Sequence, residues 1–158
     1  MTRVGIGYDV HRLVEGRPLV LGGVTLDHPK GLDGHSDADV LAHAIADAVL
    51  GAVGAADIGH YFPPGIEETK DIDSMDILRK AAEVVSENGG KLVNVDSTLI
   101  AEAPKIGPHI DAMKANLGNA LGLDPKWVGV KATTNERLGF PGREEGMAAM
   151  AVASVEVI

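Results

Sequence analysis

The chain of 158 residues contains no cysteine, which excludes disulfide bonds and thiolate metal sites. Any zinc ion would have to be held by histidine and carboxylate side chains. Aromatic residues make up only 3% of the chain, so little surface is available for stacking the bases of single-stranded nucleic acid. No run of residues is apolar for long enough to span a bilayer.

Positive charge is also scarce, with 14 Lys and Arg against 23 Asp and Glu and a formal net charge of −9. This balance argues against a nucleic-acid partner, whose phosphates need basic residues. An acidic chain that handles an anionic ligand would need metal ions or helix N-termini to offset the repulsion. The N-terminus lacks a signal-peptide pattern. We therefore expect a cytoplasmic protein, or one of an organelle matrix if a transit peptide was removed.

Hydrophobic periodicity predicts strands and helices that interleave in a single domain covering residues 1–158. Strands are expected at about 2–9, 91–100, 127–134 and 147–157, with a short hairpin at 18–26. Helices are expected at about 37–52, from 73 or 74 to 88, and from 108 to 122, with loops at 27–35, 54–73 and 135–146. Ser36 is the predicted N-cap of the first helix. The pattern indicates the α/β (α+β) class, a small mixed sheet with helices on one face.

The first predicted strand places a carboxylate and an imidazole on one face. Asp9 and His11 are two residues apart, so their side chains point the same way with Cα atoms about 6.5 Å apart. That spacing lets both side chains reach one ion. Gly5 and Gly7 share this face. We expect the opposite face to bury against the core; it consists of Val4, Ile6, Tyr8 and Val10.

A third candidate ligand, His43, lies in the first predicted helix. A spacing of four aligns it with Asp39 and Asp47, with Ser36 beside them. We expect this polar face to let the second ring nitrogen of His43 donate to one of the two acids. Spacing alone favours an exposed histidine with solvated acids. Joined to Asp9 and His11, however, His43 completes the three-ligand set of a catalytic zinc ion with one open position.

Three further segments suit a phosphorylated ligand. Residues 57–64 contain a glycine that could expose backbone N–H groups to phosphate. Residues 131–137 place two hydroxyls and a carboxylate at a strand end, which suit phosphate oxygens and Mg²⁺. Residues 101–106 follow another strand. A solvent loop, a polar turn and a connection into a helix explain these segments equally well, so none decides the function alone.

Short motifs recur in a fixed order along nearly the whole chain, at Gly7–His11, Leu21–Val24, Gly34–Val40, His43-Ala44, Asp57–Gly59, Phe62-Pro63, Asn94–Asp96, Pro104–Ile106, Thr133–Glu136, Gly142-Arg143 and Glu145-Gly146. In this order they resemble the 2-C-methyl-D-erythritol 2,4-cyclodiphosphate synthase family of the non-mevalonate isoprenoid pathway. The resemblance implies a homotrimer around a threefold axis, with active sites between neighbouring subunits. It implies Zn²⁺ on Asp9, His11 and His43, and Mg²⁺ or Mn²⁺ on Glu136 and the substrate phosphates.

The resemblance also assigns roles in substrate binding. It implies that His35 and Ser36 contact the methylerythritol 2-phosphate, and that His35 and Thr134 stabilise the transition state. The segment Ala101–Gly107 would form the cytosine pocket. Phe140 and Arg143 would line an axial cavity that accepts isoprenoid diphosphates in some members. The full implied set of substrate-binding residues is Asp9, His11, His35, Ser36, Asp57, Ile58, Gly59, Phe62, Ala101, Pro104, Lys105, Ile106, Gly107, Thr133, Thr134, Glu136, Phe140 and Arg143.

The activity implied by the resemblance is a phosphorus–oxygen lyase reaction. It would convert 4-diphosphocytidyl-2-C-methyl-D-erythritol 2-phosphate into the 2,4-cyclodiphosphate and release CMP. Two alternatives stay open from the residues alone. One is a zinc-dependent phosphate-ester hydrolase, in which the open zinc position activates water. The other is a non-catalytic trimer that binds isoprenoid diphosphates.

Overall fold

A computed structural model describes all 158 residues. The helices are α1 Val40–Ala52, α2 Ile58–Tyr61, α3 Ser74–Glu87, α4 Ile110–Leu121 and α5 Gly139–Gly142. The strands are β1 Thr2–Glu15, β2 Leu19–Leu21, β3 Val24–Leu26, β4 Lys30–Leu32, β5 Gly90–Ile100, β6 Val128–Thr133 and β7 Gly146–Val157. Short 3₁₀ helices lie at Glu67–Thr69, Gly107–His109 and Pro125–Trp127.

Five strands form a mixed sheet in the order β4-β1-β7-β5-β6. β5 and β6 pair in parallel, and the other neighbours are antiparallel. Helix α1 packs on β1, β7 and β5, α3 packs on α1, and α4 packs on α3. The buried apolar side chains form one cluster of 36 residues. The predicted fold class is therefore confirmed. None of the helices combines the length and apolar character needed to cross a membrane.

The face of β1 that packs on the core is the opposite of the predicted one. Gly5 and Gly7 lie directly under α1, where an added Cβ would come within 1.9 Å of the carbonyl oxygens of Ala48 and Ala44. Only glycine permits so close an approach of strand to helix. The apolar face of β1 is exposed instead, with exposed fractions of 68% at Val4, 70% at Ile6, 53% at Tyr8 and 44% at Val10.

Helix α1 starts four residues after its predicted N-cap. Its N-cap is Asp39 rather than Ser36, because the Asp39 carboxylate accepts a hydrogen bond from Ala42 N at 3.0 Å. The same carboxylate accepts from Gly22 N at 3.0 Å and Gly23 N at 2.8 Å in the β2–β3 turn. Asp39 therefore joins the hairpin to the helix and is fully buried, which sequence spacing could not indicate.

The other predicted elements are confirmed with small changes of boundary. The hairpin turns at Gly22-Gly23, Asp73 caps α3, and α4 ends at Gly122 with a φ of 72°. Strand β1 is longer than predicted and runs on to Glu15. Its extension pairs with β4, which lies within the predicted loop 27–35. The predicted loops 54–73 and 135–146 contain the short helices α2 and α5.

Candidate metal centre and adjoining clefts

The three candidate ligands converge where the middle of β1 faces the N-terminal half of α1. Asp9 Oδ2 lies 2.8 Å from His11 Nε2 and 3.2 Å from His43 Nδ1, and the two nitrogens are 3.5 Å apart. These separations approach the ~3.3 Å expected between ligand atoms held about 2 Å from a tetrahedral ion. The predicted triad is therefore assembled within one chain.

One buried atom of this triad has no hydrogen-bond partner. Asp9 Oδ2 is inaccessible to solvent, and neither imidazole directs an N–H group at it with hydrogen-bond geometry. An orphaned buried carboxylate oxygen is rare and costly. A divalent cation between this oxygen and the two ring nitrogens would satisfy it, and one carboxylate with two imidazoles is a donor set typical of zinc. The residues present fit a metal ion.

The hydrogen bond made by the outer nitrogen of each histidine determines which ring nitrogen carries the proton. His11 Nδ1 lies 2.9 Å from the carbonyl oxygen of Asp33, which can only accept, so Nδ1 carries the proton and Nε2 keeps its lone pair. His43 Nε2 lies 2.8 Å from Ser74 Oγ and 3.1 Å from Ser36 Oγ. Ser74 in turn donates to the Asp37 carboxylate. Nδ1 of His43 is thereby left free for a metal.

This arrangement corrects the predicted environment of His43. The histidine is only 6% exposed, and neither aligned acid accepts from it. Asp39 caps α1, and Asp47 accepts from Ile58 N at 3.0 Å. Both carboxylates are used by backbone N–H groups, so the second nitrogen of His43 meets hydroxyls instead. Ser74 was not predicted, because it lies on another helix, 31 residues along the chain, and no local pattern marks it.

Burial and the neighbouring charges act in opposite directions on the ligands. Burial raises the pKa of Asp9, but contacts with His11 and His43 outweigh it and hold the pKa at about 2. Burial lowers the pKa of His11, but Asp9 and the Asp33 carbonyl raise it above the ordinary 6.5. Burial raises the pKa of Asp39 to about 6. The metal-facing carboxylate is therefore ionised at neutral pH, as a ligand must be.

A cleft of about 590 Å³ opens beside the triad. It brings together several predicted site residues with His11 and His43, namely His35, Ser36, Ile58, Gly59 and Phe62. Asp57 stands at its edge as the N-cap of α2. His35 Nε2 lies 2.7 Å from the carbonyl oxygen of Ile66 and 3.1 Å from Thr69 Oγ1, which ties His35 to the loop that covers the cleft.

A second group of predicted residues lines a different cleft of about 810 Å³. It includes Ala101, Pro104, Lys105, Ile106, Gly107, Thr133 and Thr134. A polar cleft of about 1060 Å³ adjoins it, shares Glu102 and Thr134 with it, and contains Glu136. Neither cleft shares a residue with the cleft beside the metal triad. The structure therefore does not bring the two predicted groups into one cleft of a single chain.

The two predicted axial residues lie beside residues 10–12 of β1, next to the metal triad. Phe140 lines a cleft of about 470 Å³ together with Val10, His11 and Glu145. Arg143 is exposed and pairs with Glu145 at 2.8 Å on the rim of this cleft. Within one chain, Arg143 therefore does not lie in a cavity.

The fold and site define a mixed α/β protein with a carboxylate–dihistidine triad that could hold a metal ion. Comparisons with known proteins identify its family. The model of the YgbB family matches residues 2–156. A relative from Akkermansia muciniphila named 2-C-methyl-D-erythritol 2,4-cyclodiphosphate synthase is 61% identical over 96% of this chain and 90% of its own length. The chain belongs to the YgbB family, and the resemblance predicted from its motifs is confirmed.

Solved structures agree with this placement. The bifunctional IspDF from Campylobacter jejuni matches with a TM-score of 0.95 and 42% identity over all of this chain. The match spans only 43% of that protein, so this chain is less than half its length. The CDP complex of IspF from Plasmodium falciparum matches with a TM-score of 0.85 and 32% identity, covering 98% of this chain and 95% of that one.

Proposed function

We propose that this chain converts 4-diphosphocytidyl-2-C-methyl-D-erythritol 2-phosphate into 2-C-methyl-D-erythritol 2,4-cyclodiphosphate and releases CMP. The observation that carries this proposal is the metal centre, where an orphaned carboxylate oxygen and two imidazoles converge beside the cleft that holds His35 and Ser36. The relative at 61% identity, which bears the name of this synthase, supports the choice of reaction.

The reaction is an intramolecular phosphoryl transfer. An oxygen of the 2-phosphate forms a bond to the β-phosphorus, and the bond from that phosphorus to the oxygen of CMP breaks. Zn²⁺ would be held by Asp9, His11 and His43. Mg²⁺ or Mn²⁺ would be held by Glu136 and the substrate phosphates. The bound cations would neutralise the phosphates and orient them in line. No protein nucleophile is needed, because the attacking phosphate is already anionic.

The remaining residues hold the substrate in a reactive conformation. His35 and Ser36 would contact the 2-phosphate, and backbone groups of 57–59 would hold the methylerythritol. Segment 101–107 would bind cytosine, with Thr133 and Thr134 on the α- and β-phosphates. His35 and Thr134 would stabilise the charge that develops in the transition state. Holding the two phosphates together lowers the entropy cost of ring closure, because their freedom is already lost on binding.

We further propose that the chain acts as a homotrimer with its sites between subunits. Two features support this assembly. The clefts that would hold the two halves of the substrate share no residue within one chain, and the outer face of the sheet exposes a row of apolar side chains on β1. In this assembly residues 1–158 form one synthase domain, and Phe140 and Arg143 would surround the axis, where an isoprenoid diphosphate would bind. The cytoplasmic or organelle-matrix location stays a prediction.

Phosphorus NMR of the purified protein with the diphosphocytidyl substrate, Zn²⁺ and Mg²⁺ tests the proposal. We expect cyclic diphosphate and CMP in equal amounts. Inorganic phosphate would instead indicate the hydrolase, and an unchanged spectrum would indicate a binding protein.

His43→Ala is expected to lose turnover by at least ~100-fold while keeping its oligomeric mass, because one of three metal ligands is removed. Normal zinc content and rate in this variant would overturn the ligand assignment.

A further inference from the structure

A single carboxylate connects the predicted cytosine segment to the turn that carries Glu136. Glu102 Oε2 accepts a hydrogen bond from Asn135 N at 2.8 Å, and Oε1 accepts from Arg137 N at 3.1 Å. The two donors flank Glu136 on both sides. Each oxygen of Glu102 therefore holds one end of the three-residue turn in which Glu136 is the central residue.

The backbone of this turn needs such support. Glu136 and Arg137 both have positive φ angles, 52° and 62°, although both carry side chains. Two successive non-glycine residues in the left-handed region are disfavoured unless surrounding contacts fix them. One fixing contact is Gly142, where an added Cβ would lie 2.1 Å from the carbonyl carbon of Arg137. Hydrogen bonds within the turn join Asn135 to Leu138 and Glu136 N to Thr134 Oγ1. The Glu102 carboxylate adds the support from outside the turn.

The side chain of Glu136 makes no hydrogen bond or ion pair of its own, and it is exposed. Its direction is therefore set by the backbone of the turn and not by contacts of its carboxylate. Glu102 lines both the cleft of about 810 Å³ formed by segment 101–107 and the polar cleft that contains Glu136. One residue thus belongs to the segment that would bind the base and holds the turn that would bind the cation.

We propose that Glu102 is a positioning residue that directs the Glu136 carboxylate toward the divalent cation bridging the nucleotide phosphates. It acts through the amides of Asn135 and Arg137 and is not itself a metal ligand. The inference rests on the proposed function, because that function makes Glu136 the cation ligand. It adds to it the residue that links cation binding to the nucleotide loop.

Titration of zinc-loaded protein with Mn²⁺ in the presence of saturating CDP, followed by electron paramagnetic resonance, measures this role. Loss of an outer partner of a metal ligand costs about 10–100-fold in affinity, and we expect Glu102→Ala to weaken Mn²⁺ binding by at least about 10-fold. CDP affinity measured without Mn²⁺ should change less than about threefold, since the base contacts remain. Glu102→Gln keeps one acceptor oxygen and should lie between the wild type and Glu102→Ala.

Glu144→Gln is the matched control. Glu144 lines the same polar cleft, but its side chain makes no hydrogen bond to the turn. This variant removes the same charge from the cleft without removing the support of Glu136. Mn²⁺ affinity lost equally in Glu144→Gln and Glu102→Ala would show a charge effect and overturn the positioning role. Equal losses in Glu102→Gln and Glu102→Ala would overturn it too, because they would make Glu102 a direct ligand.

The wild type and Glu136→Gln separate failure of this inference from failure of the proposed function. If the wild type forms cyclic diphosphate and Glu136→Gln loses Mn²⁺ binding while Glu102→Ala does not, the proposed function stands and Glu102 has no positioning role. If the wild type forms no product and binds no Mn²⁺ with CDP, the proposed function and the inference fall together. Unchanged zinc content in every variant confirms that the fold is retained.

Discussion

At the scale of single residues, the hydrogen-bond partner of His43 on the side away from the triad determines which ring nitrogen is free to bind a metal. The chain His43–Ser74–Asp37 runs from the centre to the first turn of α3, where Asp37 also accepts from Ser74 N at 2.9 Å. The hydroxyl of Ser74 donates to Asp37, so it accepts from Nε2 of His43. Because Nε2 of His43 donates its proton to Ser74, Nδ1 is unprotonated, although no carboxylate accepts directly from the His43 ring.

Ser74→Ala should therefore weaken zinc binding. The variant leaves His43 free to rotate toward Ser36 and to change tautomer, and we expect a loss of about tenfold or more in zinc affinity. Competition with a chromogenic chelator measures it. Ser97→Ala is the control, because Ser97 is also buried and also donates through Oγ, to Gly129 O at 2.8 Å, but lies on β5. Equal zinc affinity in Ser74→Ala and the wild type would exclude the positioning of His43 by Ser74.

The titration of His11 predicts how zinc-induced stabilisation depends on pH. The pKa of His11 is raised in the metal-free fold, so its protonation stabilises that fold at low pH, and this stabilisation is lost as pH rises through the raised pKa. Zinc binds only the neutral ring, so the stabilisation that zinc provides increases as the pH rises. Asp9, with a pKa of about 2, stays ionised and adds no slope near neutral pH.

The increase in Tm on adding zinc should consequently be largest above the pKa of His11 and shrink as the pH falls below it. Scanning calorimetry with and without zinc from about pH 5.5 to 8 measures the difference. An increase that stays constant over this range would mean that no histidine proton is displaced by the metal.

At the scale of elements, the contact between β1 and α1 positions the whole metal centre. β1 supplies Asp9 and His11, α1 supplies His43, and Gly7 sets the distance between the two elements. A Cβ at Gly7 would overlap the carbonyl oxygen of Ala44, one residue after His43. The glycine face and the ligand face of β1 are the same face, so close packing and metal binding depend on one another.

Gly7→Ala should accordingly destabilise the fold by about 3 kcal/mol or more, because the helix must move away from the strand. Urea denaturation measures the free energy of unfolding. Gly51→Ala is the matched change on α1, where the nearest heavy atom would be 3.8 Å away and the site is exposed. It should be neutral or stabilise by up to about 1 kcal/mol through helix propensity. Comparable stability of the two variants would contradict the close packing at Gly7.

The elements were predictable from sequence because helix and strand periodicities are local. The buried apolar stripe of α3, the hairpin at Gly22-Gly23 and the stop at Gly122 all follow from residues a few positions apart. Local alternation could not decide which face of β1 packs inward. That depends on the approach of a helix about 40 residues away. Motifs located the triad, but not Ser74 or Glu102, whose contacts are made only by the tertiary fold.

At the scale of the whole molecule, the outer face of the sheet supports the proposed trimer. Apolar side chains line it from two neighbouring strands, at Val4, Ile6, Tyr8, Val10, Met150 and Val152. Ile6 pairs with Val152, and Tyr8 pairs with Met150, so the exposed side chains form a continuous patch. A patch of this kind is typical of an interaction surface, and the proposed trimer would bury it between subunits.

Ile6→Glu should therefore convert the assembly to monomers while leaving each chain folded, because this side chain points away from α1. Light scattering coupled to size exclusion gives the mass. Trp127→Gln removes an apolar side chain that is 54% exposed outside the patch and should keep the wild-type mass. A monomeric wild type, or an Ile6→Glu variant with the wild-type mass, would contradict an interface on this face.

The proposed sites between subunits predict recovery of activity from two inactive variants. His43→Ala loses the metal cleft and Glu136→Ala loses the polar cleft, so each trimer alone lacks complete sites. After subunits are mixed at equal amounts and allowed to exchange, half of the metal clefts and half of the polar clefts are intact. Random assembly then pairs two intact clefts at about one quarter of the interfaces in a cyclic trimer. We expect the mixture to recover about a quarter of the wild-type rate. If each site were instead built from one chain alone, every site would contain either His43→Ala or Glu136→Ala. Mixing the two variants would then restore no activity.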